Sequence, residues 1–392
     1  MDKENILRSV DGFSGELVDL GKEIFDYAEI SYEEIKSSKA LIAFLKKEGF
    51  EIEKPAMKEL PTSFIAKYGS GKPYISLMAE YDALPAIGHA CGHNIIATSS
   101  VGAAVGIKRS GILDKNEGTI FLIGTPAEEL GGAKRDMVEA GIFDQMDAGL
   151  IIHPASMSTG FDISYAIKSY KVEFFGKSAH AAADPQSGIN ALDAVITLFN
   201  SIGLWRQQLP EKVRVHGIIS DGGQSYNTIP EYTSALIGLR ALEMSFVDKM
   251  EETLKNMSEA AALSTGCKFK ITQTSAMEEV YVNVPLAKLL DEGFDAVKEK
   301  TTMRTYEQGA GSTDVGSVTQ RIPAIQGYID ITEGNPVPTH TREFAKCANS
   351  EYGYKAMLRA AKALALSCAE LFENKELLSE VKTYFKDRRR DF

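Results

Sequence analysis

Side chains that could bind a metal ion follow three short apolar stretches, which are predicted to be strands over residues 74–79, 119–123 and 149–152. These side chains, with those of a loop between the first two stretches, are Glu80, Asp82, His89, Cys91, His93, Glu128, Glu129 and His153. In an open, mostly parallel α/β sheet the carboxyl ends of the strands lie at one edge, and ligands bind beyond that edge. The ends of these three strands should therefore lie close together. Carboxylate oxygen, imidazole nitrogen and thiolate sulfur together suit Zn²⁺ and similar ions. The sequence therefore predicts a metal centre at this edge.

The elements that must position these residues alternate between strand and helix. Two amphipathic helices are predicted within the first 50 residues, and Ser31 with Glu34 resembles a capping box before the second of them. Further helices are predicted over 93–109 and about 130–141, and a further strand over 324–329. This alternation is typical of an α/β domain with a mostly parallel sheet and helices on both of its faces.

A different order of elements is predicted from about residue 167. Strands are predicted over 168–175, 213–219, 232–239 and 267–274, and helices over 188–209 and 244–263. The resulting order, β-α-β-β-α-β, matches the ferredoxin-like α+β unit. We therefore predict a catalytic domain over 1–166 and 278–392, interrupted by an inserted domain over 167–277.

The composition favours a globular protein that does not bind nucleic acid. The chain has 392 residues, with 43 Lys and Arg against 54 Asp and Glu, and a formal net charge of −11. Contacts to phosphates need Lys and Arg, so this charge argues against a nucleic-acid partner.

The sequence also argues against a membrane protein. The uncharged stretch 83–107 is long enough to span a bilayer, but its His, Asn, Ser and Thr residues make it too polar. The N-terminus lacks the pattern of a signal peptide, and the four cysteines form no regular framework. We therefore expect a cytoplasmic protein with reduced thiols.

Motifs along nearly the whole chain resemble those of the dinuclear-metal aminoacylase, carboxypeptidase and amidohydrolase family of metallopeptidases. In chain order, the motifs occupy residues 79–85, 89–94, 125–129, 176–182, 188–191, 227–230, 311–314 and 340–341. The first two contain Ala-Glu-Tyr-Asp-Ala-Leu-Pro and Cys-Gly-His-Asn. These two are most similar to the branch with aminobenzoyl-glutamate hydrolase and Xaa-Arg-type dipeptidases.

The resemblance implies a role for residues in most of these motifs. Its metal-ligand positions are occupied by Cys91, His93, Glu129, His153 and His340. Asp82 matches the carboxylate that supports the metal site, and Glu128 matches the general base. His180 matches a histidine of the inserted lid and dimerisation domain, which reaches into the partner subunit's site and stabilises the oxyanion. The positions that hold the substrate's free carboxylate and line the pocket are Asn227, Arg240, Gly311 and Ser312.

The chemistry implied by the resemblance is metal-dependent hydrolysis of an amide bond. It involves two divalent metal ions per subunit, with Zn²⁺ as the expected ion and Mn²⁺ or Co²⁺ as alternatives. Two such ions can hold a bridging water and polarise a carbonyl, while Glu128 takes the proton and passes it to the leaving amine. The expected substrate is a small N-acyl amino acid or dipeptide with a free carboxylate, including aminobenzoyl-glutamate, and the expected assembly is a homodimer.

Two other interpretations stay open on the sequence. Cys91 could be the nucleophile of a thiol hydrolase with a neighbouring His, which would leave the carboxylate pair and the distant histidines without a role. Alternatively, the chain could be a catalytically silent relative that binds a metal or a peptide. The sequence departs from many relatives at Glu80, which leaves its contact with metal open. His216 either borders the pocket or is a half-buried strand residue.

Overall fold

The structure, a computed structural model, describes residues 2–130, 132–305 and 311–388. The chain divides into two compact units, each with its own hydrophobic core. Unit 1 consists of Met1–Ile163, Val280–Gly309 and Thr313–Phe392, and unit 2 of Ser164–Glu279 and Ala310–Ser312.

Both helices and strands contribute to these units. The strands are β1 Glu51–Glu53, β2 Phe64–Ser70, β3 Tyr74–Ala79, β4 Gly118–Gly124, β5 Ala148–Ala155, β6 Ala166–Phe175, β7 Arg214–Asp221, β8 Tyr232–Ala241, β9 Lys268–Met277 and β10 Ala324–Asp330. The α-helices are α1 Lys3–Asp11, α2 Ser14–Tyr27, α3 Ile35–Lys47, α4 His93–Arg109, α5 Ala133–Glu139, α6 Ala191–Trp205, α7 Met244–Thr265, α8 Val284–Ala296, α9 Val315–Arg321, α10 Arg342–Ala348, α11 Glu351–Glu373 and α12 Lys375–Lys386.

Unit 1 is built on a six-stranded sheet in the order β1-β2-β4-β3-β5-β10. The pairs β3–β4, β3–β5 and β5–β10 are parallel, and the pairs β1–β2 and β2–β4 are antiparallel. This mostly parallel sheet confirms the predicted α/β class, and β3, β4 and β5 contain the three stretches predicted as strands. Because β3, β4 and β5 run in the same direction, their carboxyl ends lie along one edge of the sheet.

Helix α4 explains the long uncharged stretch of the sequence. It is buried from His93 to Ile107, so a charged side chain here would lose its hydration without a partner. Gly102 allows close packing, because a Cβ there would lie 2.9 Å from both a Leu17 methyl of α2 and the Ala361 Cβ of α11. No helix in the part of the chain that the structure describes is long and apolar enough to cross a membrane.

Unit 2 contains a separate antiparallel sheet in the order β7-β8-β6-β9. Helices α6 and α7 supply Val195, Leu198 and Leu254 to a core shared with Val172 and Leu239 of this sheet. The element order confirms the predicted ferredoxin-like class of the inserted segment. Apolar side chains also lie exposed on strands β7 and β8 of this unit.

Some predictions made from local sequence signals are wrong. Within residues 2–50 the structure has three helices rather than two, because α1 precedes the two that were predicted. The capping box is also wrong, since Glu34 makes no side-chain cap to α3 and the Ser31 hydroxyl donates to Asp82 instead, 2.7 Å away. His153 lies within β5 rather than after it, because the strand pairs with β10 as far as Ala155.

Candidate metal centre and active site

The two residues that flank Gly92 reach the sheet edge through a tight turn. Gly92 has a φ of +77°, and a Cβ at this position would lie 2.8 Å from the Cγ atom of Pro154. Only glycine tolerates both the left-handed backbone and this close approach. As a result, the Cys91 Sγ atom lies 3.4 Å from His153 Nε2, and His93 begins helix α4.

His340 reaches the same cluster from a loop much later in the chain. Its backbone N–H donates to the Ala90 carbonyl oxygen at 2.9 Å, which holds the loop against the Cys91 segment. His340 Nε2 then lies 3.5 Å from Cys91 Sγ and 3.4 Å from Glu129 Oε2. The His340 side chain is 54% exposed, so the cluster is accessible on this side.

The structure brings all five residues at the ligand positions together, with Glu128 beside them. Potential ligand atoms within 4.8 Å of one another form three overlapping sets, which are Cys91–His93–His153, Cys91–Glu129–His340 and His93–Glu128–Glu129. Cys91 belongs to two of these sets. The thiol, imidazoles and carboxylates give the mixed sulfur, nitrogen and oxygen chemistry that Zn²⁺ accepts.

Unpartnered polar atoms show that this cluster fits a bound cation. His93 Nε2 and Glu129 Oε1 are buried without a hydrogen-bond partner among the described residues, although they lie 3.8 Å apart. Buried polar groups without partners cost free energy, which bound metal ions would recover. His153 has a fixed tautomer that suits a ligand, because its Nδ1–H donates to the Pro154 carbonyl oxygen and leaves Nε2 as the acceptor.

Asp82 supports the cluster through hydrogen bonds from three residues. Its Oδ1 atom accepts from His93 Nδ1–H at 3.0 Å, and its Oδ2 atom accepts from the Ser31 hydroxyl and from the backbone N–H of Glu129. Although burial opposes its charged form, His93 holds the pKa of Asp82 far below its usual range. In turn, although burial opposes the imidazolium, Asp82 raises the pKa of His93. Asp82 is therefore placed to orient His93 and the start of the carboxylate pair.

Sequence reasoning missed a buried ion-pair network beside the cluster. Lys134 Nζ lies 2.7 Å from Glu80 Oε1 and 2.7 Å from Asp314 Oδ1, and all three side chains are almost fully buried. Glu80 Oε2 lies 3.5 Å from His93 Nε2. Although burial opposes its ionisation, Lys134 lowers the pKa of Glu80. The network therefore fixes a negative charge next to His93, and nothing in the sequence marks Lys134 as a buried lysine.

Burial raises the pKa of two acidic groups in the cluster. Burial, together with the charge of Glu80, raises the pKa of Glu128 well above its ordinary value. A carboxylate with a raised pKa can both take and return a proton near neutral pH. Burial also raises the pKa of the Cys91 thiol. Both a nucleophilic and a metal-bound cysteine act as the thiolate, so in this buried environment a Cys91 thiolate needs a neighbouring cation.

The predicted site residues of unit 2 form two groups. In the first, the Ala181 backbone N–H donates to the Asn227 carbonyl oxygen, which places His180 beside Asn227. His180 Nδ1 accepts from the backbone N–H groups of Ala182 and Ala183 at 3.2 and 3.1 Å, so Nε2 carries the hydrogen. The first group therefore presents a histidine that donates through Nε2.

Arg240 is the centre of the second group in unit 2. Its Nη1 donates to the Ser312 hydroxyl at 2.9 Å, and its Nε donates to His216 Nε2 at 3.2 Å. Gly311 joins the group because its carbonyl oxygen accepts from the backbone N–H of Tyr165, whose own carbonyl oxygen accepts from the Ser312 hydroxyl. The burial of Arg240 lowers its pKa, and it has no carboxylate partner in the described part of the chain. A half-buried guanidinium of this kind is suited to an anionic ligand.

Similarity to known proteins agrees with this architecture. The Xaa-Arg dipeptidase of Mus musculus is 34% identical over 406 aligned residues, which cover 98% of this chain and 92% of the dipeptidase. A component chain of the p-aminobenzoyl-glutamate hydrolase of Escherichia coli strain K12 is 29% identical over 92% of this chain and 90% of its own.

A solved structure and a family model complete the comparison. A dinuclear metal-binding peptidase of the M20 family from Bacillus subtilis has the same fold, with a TM-score of 0.66 at 20% identity, covering 89% of this chain and 98% of that one. Residues 77–363 match the model of peptidase family M20/M25/M40. These findings confirm the resemblance given above and the class of enzyme that it implies. The chain therefore belongs to peptidase family M20/M25/M40.

Proposed function

We propose that this protein hydrolyses the amide bond of a small N-acyl amino acid or dipeptide that carries a free carboxylate. The observation that carries the proposal is the convergence of Cys91, Glu129 and His340 with the two buried histidines, next to Glu128. Three sets of potential ligands share members here, which supports a centre for two divalent ions. Zn²⁺ is the ion that we propose, with Mn²⁺ or Co²⁺ as alternatives that accept the same ligands.

In the proposed mechanism, Glu128 transfers the proton. Two bound divalent ions would supply Lewis acidity to the substrate carbonyl and lower the pKa of water. Glu128 would accept the proton of the attacking water and then donate it to the leaving amine, which its raised pKa supports. Asp82 would keep His93 oriented through the Nδ1–H hydrogen bond.

We further propose that unit 2 supplies the groups that bind the substrate and the oxyanion. His180 would donate from Nε2–H to the oxyanion in the partner subunit's site, which makes the proposed assembly a homodimer. Asn227, Arg240, Gly311 and Ser312 would hold the substrate carboxylate and line its pocket. The domain organisation that goes with this proposal is a catalytic domain over 1–166 and 278–392, with the inserted domain over 167–277. The cysteines are all free, which supports the cytoplasmic location that we propose.

Replacing Arg240 with alanine is expected to raise KM for substrates with a free carboxylate by roughly 100-fold, because a charge-assisted hydrogen bond to that carboxylate is lost. For the carboxamide analogue of the same substrate, KM should change little, so the preference for the carboxylate should collapse. Arg214→Ala is the matched control, because Arg214 pairs with Arg240 across β7 and β8 while its guanidinium binds the Val213 carbonyl oxygen. An unchanged preference in the Arg240 variant would remove this residue from the substrate site.

The experiment that tests the proposed function is a substrate screen of the metal-reconstituted protein by mass spectrometry. The panel contains dipeptides with a basic C-terminal residue and aminobenzoyl-glutamate, because relatives named for these activities are similar to this chain. It also contains N-acyl amino acids, which belong to the proposed substrate class. We expect cleavage at the amide bond of at least one class. Binding without cleavage of any panel member would instead favour a catalytically silent relative.

A further inference from the structure

We propose that Glu34 is a positioning residue for the reaction, because it holds the backbone of Ala127 in the conformation that aims Glu128. This inference rests on the proposed role of Glu128 as the general base. Glu34 lies outside the family motifs singled out above, just before helix α3, and its side chain is fully buried. It contributes no atom to the three sets of potential metal ligands.

One oxygen of Glu34 holds two strained backbone positions. Glu34 Oε1 accepts from the backbone N–H of Ala127 at 2.8 Å and from the backbone N–H of Tyr32 at 2.9 Å. Ala127 has a φ of +57° and Tyr32 a φ of +70°, which are left-handed conformations that residues with a Cβ rarely adopt. Such conformations persist only where surrounding contacts impose them. The Glu34 carboxylate is a contact of this kind for both residues.

The second oxygen of Glu34 fixes the orientation of the carboxylate. Glu34 Oε2 accepts from the Thr62 hydroxyl at 2.9 Å. The Thr62 carbonyl oxygen in turn accepts from the Tyr81 hydroxyl at 2.8 Å, and Tyr81 lies just after strand β3. Both partners are buried. The carboxylate is therefore anchored to the sheet edge on one side and to Ala127 on the other.

The position of Ala127 links the hydrogen bonds of Glu34 to the proposed general base. Ala127 directly precedes Glu128, so its backbone angles set the direction in which the Glu128 side chain leaves the chain. On the other side, the Glu129 backbone N–H donates to Asp82 at 3.0 Å. The Glu128–Glu129 pair is thus held at both ends. Loss of Glu34 would free the Ala127 N–H, while the Ala127 carbonyl oxygen would still accept from the backbone N–H of Gly132. This end would be loosened, and a small misplacement of a catalytic group has a large effect on rate.

The first test compares two carboxylates that flank the same turn. Glu34→Ala should lower kcat by roughly 100-fold, with bound metal and KM little changed, because Glu128 is misdirected while the ligands remain. Glu29→Ala is the control, since Glu29 accepts from the backbone N–H groups of Lys36 and Ser37 at the start of α3, each at 2.9 Å. It should lower stability with little effect on kcat. Equal kcat values for the two variants would contradict the proposal.

The second test separates positioning from stability. Glycine adopts left-handed backbone without strain, so adding Ala127→Gly to Glu34→Ala should restore much of the lost kcat. If Glu34 only stabilises the fold, the second substitution will restore nothing. If Glu34→Ala does not fold, Thr62→Val takes its place, because it frees the carboxylate to turn, and Ala127→Gly should again restore kcat. Glu128→Gln distinguishes the two levels: full activity in that variant overturns the proposed role of Glu128 as the general base, whereas loss there with full activity in Glu34→Ala overturns only this inference.

Discussion

Replacing Glu128 with glutamine is expected to lower kcat by roughly 1000-fold or more while the protein keeps its bound metal. Glutamine has nearly the same shape, so the packing around Cys91, His93 and Glu129 should survive. Its amide cannot take a proton from water or return one to the leaving amine. The measurement is kcat at saturating substrate together with elemental analysis of the purified variant.

The pH dependence of the Glu128 variant gives an independent check. In the wild type, activity should rise with pH as Glu128 loses its proton. Because burial raises the pKa of Glu128, this rise should occur at a higher pH than for an ordinary carboxyl group. In Glu128→Gln, residual activity should lack this rise. Glu139→Gln is the control, because Glu139 is exposed and forms an ion pair with Arg135 on helix α5. Full activity in Glu128→Gln, with metal bound, would remove Glu128 from proton transfer.

Replacing Cys91 with alanine is expected to remove metal and activity together. Cys91 is shared by two of the three sets of potential ligands, so its loss weakens both. We expect the metal content of the purified variant to fall by at least one ion per chain, and activity at low metal concentration to fall by more than about 100-fold. Both quantities are measured by elemental analysis and by activity during a metal titration.

A second cysteine provides the matched control for this prediction. Cys368 is buried as well, but it lies in helix α11 within the hydrophobic core of unit 1. Cys368→Ala should lower stability and leave the metal content unchanged. If Cys91→Ala kept its full metal content and still lost all activity, the thiol would act as a nucleophile rather than as a ligand.

The sheet and the ligands at its edge could be predicted because each depends on a strong local signal. Strands β3, β4 and β5 are mostly apolar and contain no Asp, Glu, Lys or Arg, as expected of buried parallel strands. The absence of charge from residues 93–107 of helix α4 is equally plain, because this part of the helix is buried on all sides. Polar residues at the ends of such elements therefore stand out, which is why Cys91 and His93 could be singled out from sequence.

The supporting contacts could not be predicted, since they depend on residues that only the fold brings together. Lys134 looks like an exposed residue of helix α5, yet it is buried against Asp314, which lies 180 positions later. Ser31 and Glu34 have the spacing of a helix cap, but their side chains make long-range hydrogen bonds instead. A polar side chain near a helix start can bond either to the local backbone or to a distant group, and the burial of the side chain determines which of the two it meets.

The most direct test of metal-dependent amide hydrolysis is cleavage measured during a metal titration. The protein is stripped with a chelator, reloaded stepwise with Zn²⁺ or Mn²⁺, and assayed by mass spectrometry on the substrate panel described above. We predict no cleavage by the stripped protein, and cleavage that rises with metal and saturates near two ions per chain. Full cleavage by the stripped protein, or stoichiometric metal binding at the Cys91 cluster with no cleavage at any concentration, would contradict the account.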